Sequence, residues 1–143
     1  MGTPKHINIY VLSDVRGVHE KRGRAAYMLE YNGKSIVDTV SFGEHNLNGA
    51  TLEGLLAALK RVTSGNVEVT VWTESRYVSA QINQGNIWTW EAEGYRARGG
   101  APIRYRELWK PIILIATKNL GKRIKSCNIV PDKFREELEK RLL

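Results

Sequence analysis

The first part of the chain alternates apolar and polar residues in segments typical of β-strands. β-Branched residues occupy every second position of residues 7–11, and this period predicts a first strand. After a charged turn with two glycines, residues 25–31 and 34–42 again have strand-like composition. Asn32-Gly33 separates them, and Asn-Gly between apolar runs is a strong hairpin signal. The pattern therefore predicts three strands, the last two joined as a hairpin.

In the next segment of the chain, leucines are spaced three and four residues apart, which is typical of a helix. The apolar positions are Leu52, Leu55, Leu56, Leu59 and Val62. They predict an amphipathic helix with Asn48 or Thr51 as its N-cap and Gly65 as its stop. Residues 67–72 are again β-branched, and the flanking helix favours a buried strand in a parallel arrangement.

A second helix and an irregular excursion are predicted next. Ser75 is the predicted N-cap of a helix that ends near residue 84. Residues 85–102 combine tryptophan, glycine and arginine without a steady period. This composition predicts a partly irregular excursion from the sheet and its helices.

The last part of the chain is predicted to be helix, strand and helix. Residues 107–120 have mostly helical spacing, with Pro111 in the first turn or at a kink. A short strand over residues 123–130 precedes a helix with Asp132 as its cap. This order predicts an α/β fold with a mixed sheet and helices against it, formed by residues 1–143 as a single domain.

The charge of the chain favours a polyanionic partner. The sequence has 22 Lys and Arg against 15 Asp and Glu, a net charge of +7. Such an excess suits a nucleic acid. A solvated basic face without a specific partner is the alternative, so the placement of the charges has to decide between the two.

Other classes of protein are disfavoured by the sequence. Its longest apolar runs, such as residues 112–116, are far shorter than the roughly 20 residues that span a bilayer. Residues 1–6 lack the apolar segment of a signal peptide, so we expect a cytoplasmic protein that binds no membrane. Cys127 is the single cysteine, and the sequence shows no cysteine or histidine motif of the kind that binds a metal ion. Nothing indicates oligomerisation, and a monomer is expected.

Several residues match the pattern of one enzyme family. Residues 73–78 read Thr-Glu-Ser-Arg-Tyr-Val, where that family has Thr-Asp-Ser followed by Tyr-Val. The matches that follow without a gap are Trp90, Gly94, Pro102, Leu108 and Trp109. The leucine-rich helix also aligns when Ala58-Leu59 is set on the Ala-Leu pair of the family's first helix. On these residues the chain resembles bacterial-type ribonuclease H over nearly its whole length.

The resemblance implies a ribonuclease H-like fold. We expect a mixed five-stranded sheet flanked by helices, with the first three strands antiparallel and the fourth beside the first. A basic handle is expected to protrude from it as an excursion. The resemblance also implies an RNA/DNA hybrid as the partner, recognised by the shape of its groove and by its 2′-hydroxyl groups.

The chemistry of the family needs four carboxylates that converge on two Mg²⁺ ions, which prefer oxygen ligands. This chain departs from that pattern at two positions. The ungapped alignment places Leu12 and Thr51 where the first two acids belong. It places Glu74 and Glu136 at the other two positions, so two of the four acids are kept.

Asp14, Glu74 and Glu136 are the candidate catalytic residues and ligands of Mg²⁺ or Mn²⁺. Asp14 lies two residues after Leu12, and a continuing strand would point both side chains to one face. Glu53 is a poor replacement for the missing helix acid, because it lies about 200° around the helix from the aligned position.

Each candidate has a second interpretation. Asp14 can be a loop aspartate, and Glu74 can be a first-turn acid that interacts with a helix dipole. Glu136 can form a surface pair with Lys140, four residues along the same helix.

A basic segment, residues 95–110, is the candidate nucleic-acid-binding surface. Its cationic residues are Arg96, Arg98, Arg104, Arg106 and Lys110. They are interleaved with Tyr95, Tyr105 and Trp109. Cations neutralise phosphates, and aromatic rings pack on sugars or bases. In the resemblance this segment corresponds to the handle that holds a hybrid. The tryptophans Trp88, Trp90 and Trp109 are interpreted as mainly structural.

Three functions are consistent with the sequence. The first is a metal-dependent endonuclease that cuts the RNA strand of a hybrid. The second is a binding module that keeps the fold and the basic segment but has lost turnover. The third is a protein-interaction domain whose charge is incidental.

Overall fold

The computed structural model describes residues 2–63 and 65–143. In this part of the chain, five strands form a mixed sheet and five helices cover it. The strands are β1 Lys5–Ser13, β2 Lys21–Tyr31, β3 Lys34–His45, β4 Val67–Thr73 and β5 Ile124–Cys127. The helices are α1 Leu47–Leu59, α2 Arg76–Asn83, α3 Asn86–Ala92, α4 Arg106–Lys118 and α5 Asp132–Leu142.

The strand order across the sheet is β3-β2-β1-β4-β5. β1 pairs antiparallel with β2, and β2 with β3. β4 pairs parallel with both β1 and β5. Asn32 and Gly33 have φ angles of 52° and 83°, as a two-residue hairpin of type I′ requires. The predicted hairpin, the mixed five-stranded sheet and the position of β4 beside β1 are confirmed.

Helices cover both faces of the sheet. On one face, apolar side chains of β1, β2 and β4 are buried against α1 and α4. On the other face, Tyr10 and Leu12 of β1 pack with Leu138 of α5. Tyr10 also stacks on Phe134, with ring centroids 4.2 Å apart. These contacts fix α5 on the face opposite α1, close to β1.

Helix α1 lies unusually close to the sheet at Gly54. A Cβ atom at this position would lie 2.6 Å from Val11 Cγ1 and 3.0 Å from Ala25 Cβ. Both distances are shorter than ordinary contacts between carbon atoms. The absence of a side chain at Gly54 therefore sets how closely the first helix approaches β1 and β2.

We expect Gly54→Val to lower the free energy of unfolding by about 3 kcal/mol, because the new side chain overpacks the helix–sheet contact. Urea denaturation followed by circular dichroism measures the change. Gly43→Val on β3 is the matched control, since nothing lies within 4 Å of a Cβ at that position. Equal stability of the two variants would show that α1 can move away from the sheet at little cost.

Several predicted boundaries were wrong. Helix α1 begins at Leu47 rather than after Asn48 or Thr51, because Asn46 is its N-cap and accepts a hydrogen bond from the Gly49 amide at 3.0 Å. It ends at Leu59, well before Gly65. The cap preceding α5 is Pro131, and Asp132 is the first helical residue.

The excursion and its flanks also differ in part from the prediction. The segment predicted as partly irregular contains helix α3, which follows Gly85 at a φ of 76°. Pro111 lies inside α4 rather than in its first turn. None of the helices in residues 2–63 and 65–143 has the length and apolar character needed to cross a lipid bilayer.

Candidate functional site

The candidate site lies at one edge of the sheet, where β1 and β4 end side by side. The two strands are parallel, and Val11 is the register partner of Thr73. Their carboxyl ends therefore meet at the same edge. Asp14 follows directly after β1, and Glu74 follows directly after β4. The carboxyl ends of parallel strands commonly form a binding crevice in α/β proteins.

Hydrogen bonds fix the backbone around Glu74. The Ser75 hydroxyl accepts a bond from the Val78 amide at 3.1 Å, which confirms Ser75 as the N-cap of α2. The same hydroxyl donates to Asn48 Oδ1 at 2.8 Å. The Ser75 amide donates to Thr73 Oγ1 at 3.0 Å. These bonds join the first turns of α1 and α2 and hold Glu74 between them and β4.

The basic segment is tied to the same edge by two aromatic side chains. The Tyr105 hydroxyl donates to Asn46 Oδ1 at 2.9 Å, and Asn46 is buried at the start of α1. The Trp109 indole N–H donates to the Tyr77 hydroxyl of α2 at 3.1 Å. Burial raises the pKa of Tyr77, so its hydroxyl stays protonated at neutral pH. The position of the basic segment relative to Glu74 is thus fixed by buried hydrogen bonds.

Both oxygens of the Glu74 carboxylate have arginine partners. Arg135 Nη2 of α5 donates to Glu74 Oε2 at 2.7 Å. Arg16 Nη1, from the turn after β1, lies 3.7 Å from Glu74 Oε1. The bond to Glu74 is the main cause that raises the pKa of Arg135, so this guanidinium is permanently charged. Glu74 therefore has cations on both sides in the described part of the chain.

Glu139 completes a salt-bridge cluster that consists of Arg16, Glu74, Arg135 and Glu139. Glu139 Oε1 lies 3.6 Å from Arg16 Nη2 and 3.9 Å from Arg135 Nη1. Arg135 Nε also lies 3.9 Å from Asp132 Oδ1, but the Asp132 side chain is fully exposed. The salt-bridge cluster contains two guanidinium groups and two carboxylates, so its charges cancel.

Asp14, Glu74 and Glu136 do not form a group that could hold a metal ion in the described part of the chain. Strand β1 ends before Asp14, and Asp14 Oδ1 accepts a hydrogen bond from the Arg24 amide of β2 at 2.9 Å. Glu136 is exposed on α5, about 100° around the helix from Arg135. The face of α5 that meets Glu74 thus carries Arg135, with the acid Glu139 one turn further along the same face.

Glu53 faces away from this edge, as the helical geometry predicted. Its Oε2 lies 3.0 Å from His45 Nε2 at the end of β3. Both side chains are largely buried, with exposed fractions of 26% and 22%. His45 is the last residue of β3.

The backbone of the basic segment forms a small, tightly turned loop. The Ile103 amide donates to the Tyr95 carbonyl at 3.1 Å, and the Ala97 amide to the Ala101 carbonyl at 2.7 Å. Gly99 and Gly100, at the tip between them, have φ angles of 95° and 92°, which favour glycine. Ile103 is buried in the main core. The loop is therefore anchored at its base, and its tip is exposed to solvent.

The cations of the basic segment point to solvent and are not neutralised by acids. Arg96, Arg98, Arg104 and Lys110 are exposed, and Arg106 is half-buried. Within residues 2–63 and 65–143, none of the five lies within 4.0 Å of a carboxylate oxygen. The Arg104 guanidinium lies 5.0 Å from the Tyr105 ring centroid. The segment thus presents free positive charge.

The tryptophans pack in the main core and so support the basic segment. Trp109 is fully buried, and its ring centroid is 5.5 Å from that of Trp90. Trp88 and Trp90 are partly buried against the same core. Their interpretation as mainly structural residues agrees with these positions.

The family model for RNase H matches residues 5–122, which is most of the chain. The chain belongs to the ribonuclease H family. A ribonuclease H of Thermus thermophilus is 34% identical over 65 residues, 46% of this chain and 36% of that protein. A ribonuclease H of Xanthomonas campestris pv. campestris is 32% identical over 92 residues, 62% of this chain and 57% of that protein. The matched regions thus span between about a third and somewhat over half of these relatives.

Solved structures of ribonucleases H share the fold of this chain. LC9-RNase H1, a type 1 RNase H with the type 2 active-site motif, has a TM-score of 0.69 and 20% identity, covering 98% of this chain and 71% of its own. LC11-RNase H1 in complex with RNA/DNA hybrid has a TM-score of 0.67 and 17% identity, covering 95% and 93%. Foamy viral protease-reverse transcriptase in complex with dsDNA has a TM-score of 0.70 and 14% identity, covering 98% and 92%.

The residues of this ribonuclease H-family chain do not fit the divalent-metal centre that its family generally uses. Leu12 is buried against α5, and Thr51 is buried with its hydroxyl donating to the Leu47 carbonyl at 2.8 Å. Neither position supplies a carboxylate. In residues 2–63 and 65–143, no three Asp, Glu, His or Cys side chains are grouped so that they could hold a metal ion.

Sequence reasoning missed Arg16 and Arg135 as residues of the site. One signal for Arg135 was present in the sequence, because Asp132, Arg135 and Glu139 are spaced three and four residues apart and so share one face of a helix. The sequence held no signal that this face would meet Glu74. Asn46 and Asn48 were likewise missed as the residues that connect α1 to the basic segment and to Ser75.

Proposed function

We propose that this ribonuclease H-family chain binds an RNA/DNA hybrid through its basic segment without cleaving it. The observation that carries the proposal is the group of five cations on the anchored loop and the start of α4. Each is free of carboxylate partners in the described part of the chain, so each can neutralise a backbone phosphate.

The relatives support a nucleic-acid partner. The fold is shared with LC11-RNase H1 in complex with RNA/DNA hybrid and with a foamy viral reverse transcriptase in complex with dsDNA. A hybrid is the partner that family membership favours. The tyrosines and arginines of the basic segment suit contacts to the backbone and sugars, which read groove shape rather than base sequence.

Binding without cleavage is favoured by the state of the candidate carboxylates. Glu74 has arginines on both oxygens, and Asp14 accepts the Arg24 amide at 2.9 Å. A two-metal mechanism needs acids that are free to coordinate cations on both sides of the reacting phosphate. We therefore propose that the metal-dependent activity of the family is absent here.

Hydrolysis of the RNA strand is the second candidate function, and one observation favours it. Glu74 follows β4 in the Thr-Glu-Ser context that matches the family motif. In this proposal Asp14, Glu74 and Glu136 would hold Mg²⁺ or Mn²⁺, which requires Arg135 to leave Glu74 and Asp14 to leave the Arg24 amide.

One experiment separates the two candidates. A fluorescently labelled RNA/DNA hybrid is mixed with the parent chain and with Glu74→Gln, in Mg²⁺, Mn²⁺ or EDTA. Affinity is read by anisotropy and cleavage by gel. We expect both proteins to bind the hybrid and neither to shorten the RNA strand. In Glu74→Gln, binding should be equal or stronger, because a negative charge near the phosphates is lost.

Two results would contradict this expectation. Cleavage that depends on a divalent cation and disappears in Glu74→Gln would establish the endonuclease instead. If the chain binds neither the hybrid nor duplex DNA or duplex RNA of equal length, a protein-interaction domain becomes the favoured function.

A further inference from the structure

We infer that Arg135 takes the place of a divalent metal ion as the cation that neutralises Glu74, so that this edge of the sheet works in a metal-free state. The inference concerns the salt-bridge cluster itself. Its consequence for nucleic-acid binding rests on the proposed function, whereas its consequence for metal binding does not.

The geometry at Glu74 supports this inference. The contact between Arg135 Nη2 and Glu74 Oε2 is 2.7 Å long, and the side chains are 25% and 27% exposed. A charge-assisted hydrogen bond of this length between partly buried groups is among the strong polar contacts in proteins. A metal ion would have to displace this guanidinium before it could reach the carboxylate.

The charge of the groups around Glu74 supports it as well. The salt-bridge cluster has as many guanidinium groups as carboxylates, and Arg16 Nη1 lies 3.7 Å from the other oxygen of Glu74. A divalent cation at Glu74 would therefore meet two fixed positive charges at close range. A metal centre instead needs an excess of negative ligands, which this edge of the sheet does not provide.

The place of Arg135 in the fold also supports the inference. It lies in α5, one residue before the position that the family alignment gives to the last carboxylate, Glu136. Arg135 is on the face of α5 that meets Glu74, whereas Glu136 is exposed to solvent. The protein thus supplies the Arg135 guanidinium at the place where the family would bind a metal ion from solution.

A consequence follows for a bound backbone. A phosphate that approaches this edge meets a neutral cluster rather than a bare carboxylate, so no added cation is needed to relieve repulsion. Binding of the hybrid should then be the same in EDTA and in Mg²⁺ at equal ionic strength. Removal of the Arg135 charge should leave the Glu74 carboxylate without this cationic partner. Binding of the hybrid should then depend on a divalent cation.

The test begins with metal binding to the full chain. MnCl₂ is titrated into the parent and Glu74→Gln by calorimetry, and we expect no Mn²⁺ site that depends on Glu74. Arg135→Gln should gain a weak Mn²⁺ site, and Arg135→Gln/Glu74→Gln should lose it again. Arg141→Gln is the matched control, because Arg141 is exposed on the same helix and has no carboxylate partner among the described residues.

Hybrid affinity is the second readout. In EDTA we expect Arg135→Gln to bind about threefold more weakly than the parent, because the unpaired Glu74 carboxylate then repels the phosphates through screening solvent. Mn²⁺ should restore its affinity, while the parent and Arg141→Gln stay unchanged. Arg135→Lys keeps the charge and should behave like the parent, and circular dichroism establishes that each variant is folded.

A parent chain that binds Mn²⁺ at a site lost in Glu74→Gln would overturn the inference, whatever the variants of Arg135 do. An Arg135→Gln variant that is folded and gains no Mn²⁺ site would overturn it as well. If the parent binds no hybrid, the proposed function fails, but the Mn²⁺ titration of the parent and Glu74→Gln still decides the role of Arg135.

Discussion

A variant with glutamine at all four arginines of the basic segment is expected to bind an RNA/DNA hybrid at least about 100-fold more weakly than the parent near 0.1 M salt. The replaced residues are Arg96, Arg98, Arg104 and Arg106. Each free guanidinium that neutralises a phosphate releases counterions from the nucleic acid. The plot of log affinity against log salt should therefore flatten by about 0.9 for each lost contact.

Anisotropy titrations at several salt concentrations measure both quantities. The matched control replaces four exposed cations on other elements of the fold by glutamine. These are Arg22, Lys34, Lys60 and Lys125. Both variants lose the same net charge. If affinity depends on direct contacts to phosphates, the variant of the basic segment should therefore lose much more affinity than the control. Equal losses in the two variants would mean that the hybrid responds only to the overall charge of the chain.

Replacement of Trp109 by alanine is expected to lower the free energy of unfolding by about 3–5 kcal/mol. Trp109 is fully buried between α4 and the rest of the main core. Its ring packs against Trp90, and its indole N–H donates to the Tyr77 hydroxyl at 3.1 Å. The change removes a large apolar volume and leaves the buried Tyr77 hydroxyl without this donor.

Urea denaturation of Trp109→Ala measures this loss, and Leu114→Ala on the same helix is the control. Leu114 is 50% exposed, so its truncation should cost less than about 1 kcal/mol. Because Trp109 supports the basic segment, the residual folded fraction of Trp109→Ala should also bind the hybrid more weakly. A Trp109→Ala variant within about 1 kcal/mol of the parent would show that the core repacks around the missing ring.

Local patterns in the sequence were enough to predict most elements of this protein. The Asn32-Gly33 turn, the leucine spacing of α1 and the cap at Ser75 each depend on residues a few positions apart. Their physical causes, which are backbone φ angles, helical periodicity and a first-turn hydrogen bond, act within that distance. The Thr-Glu-Ser motif and the basic segment likewise identified the family and the candidate binding surface.

The start of α1 shows where local signals mislead. Asn48 and Asn46 are equally suitable caps by residue type. Asn46 takes this role because Tyr105, far away in the sequence, also bonds its side chain at 2.9 Å. Asn48 instead accepts the Ser75 hydroxyl at 2.8 Å. The choice between two equivalent residues was made by contacts that the sequence pattern does not contain.

The sequence by itself determined the class of fold and the clustering of positive charge in the basic segment. Only the tertiary structure decided the state of the site. The period of two could not show that β1 ends before Asp14, and helical spacing could not show which face of α5 meets Glu74. Packing of Tyr10 on Phe134 orients α5, and this orientation places Arg135 rather than Glu136 at Glu74. The physical reason is that a carboxylate's role depends on the charge nearest to it in space, and here that charge comes from a helix at the other end of the chain.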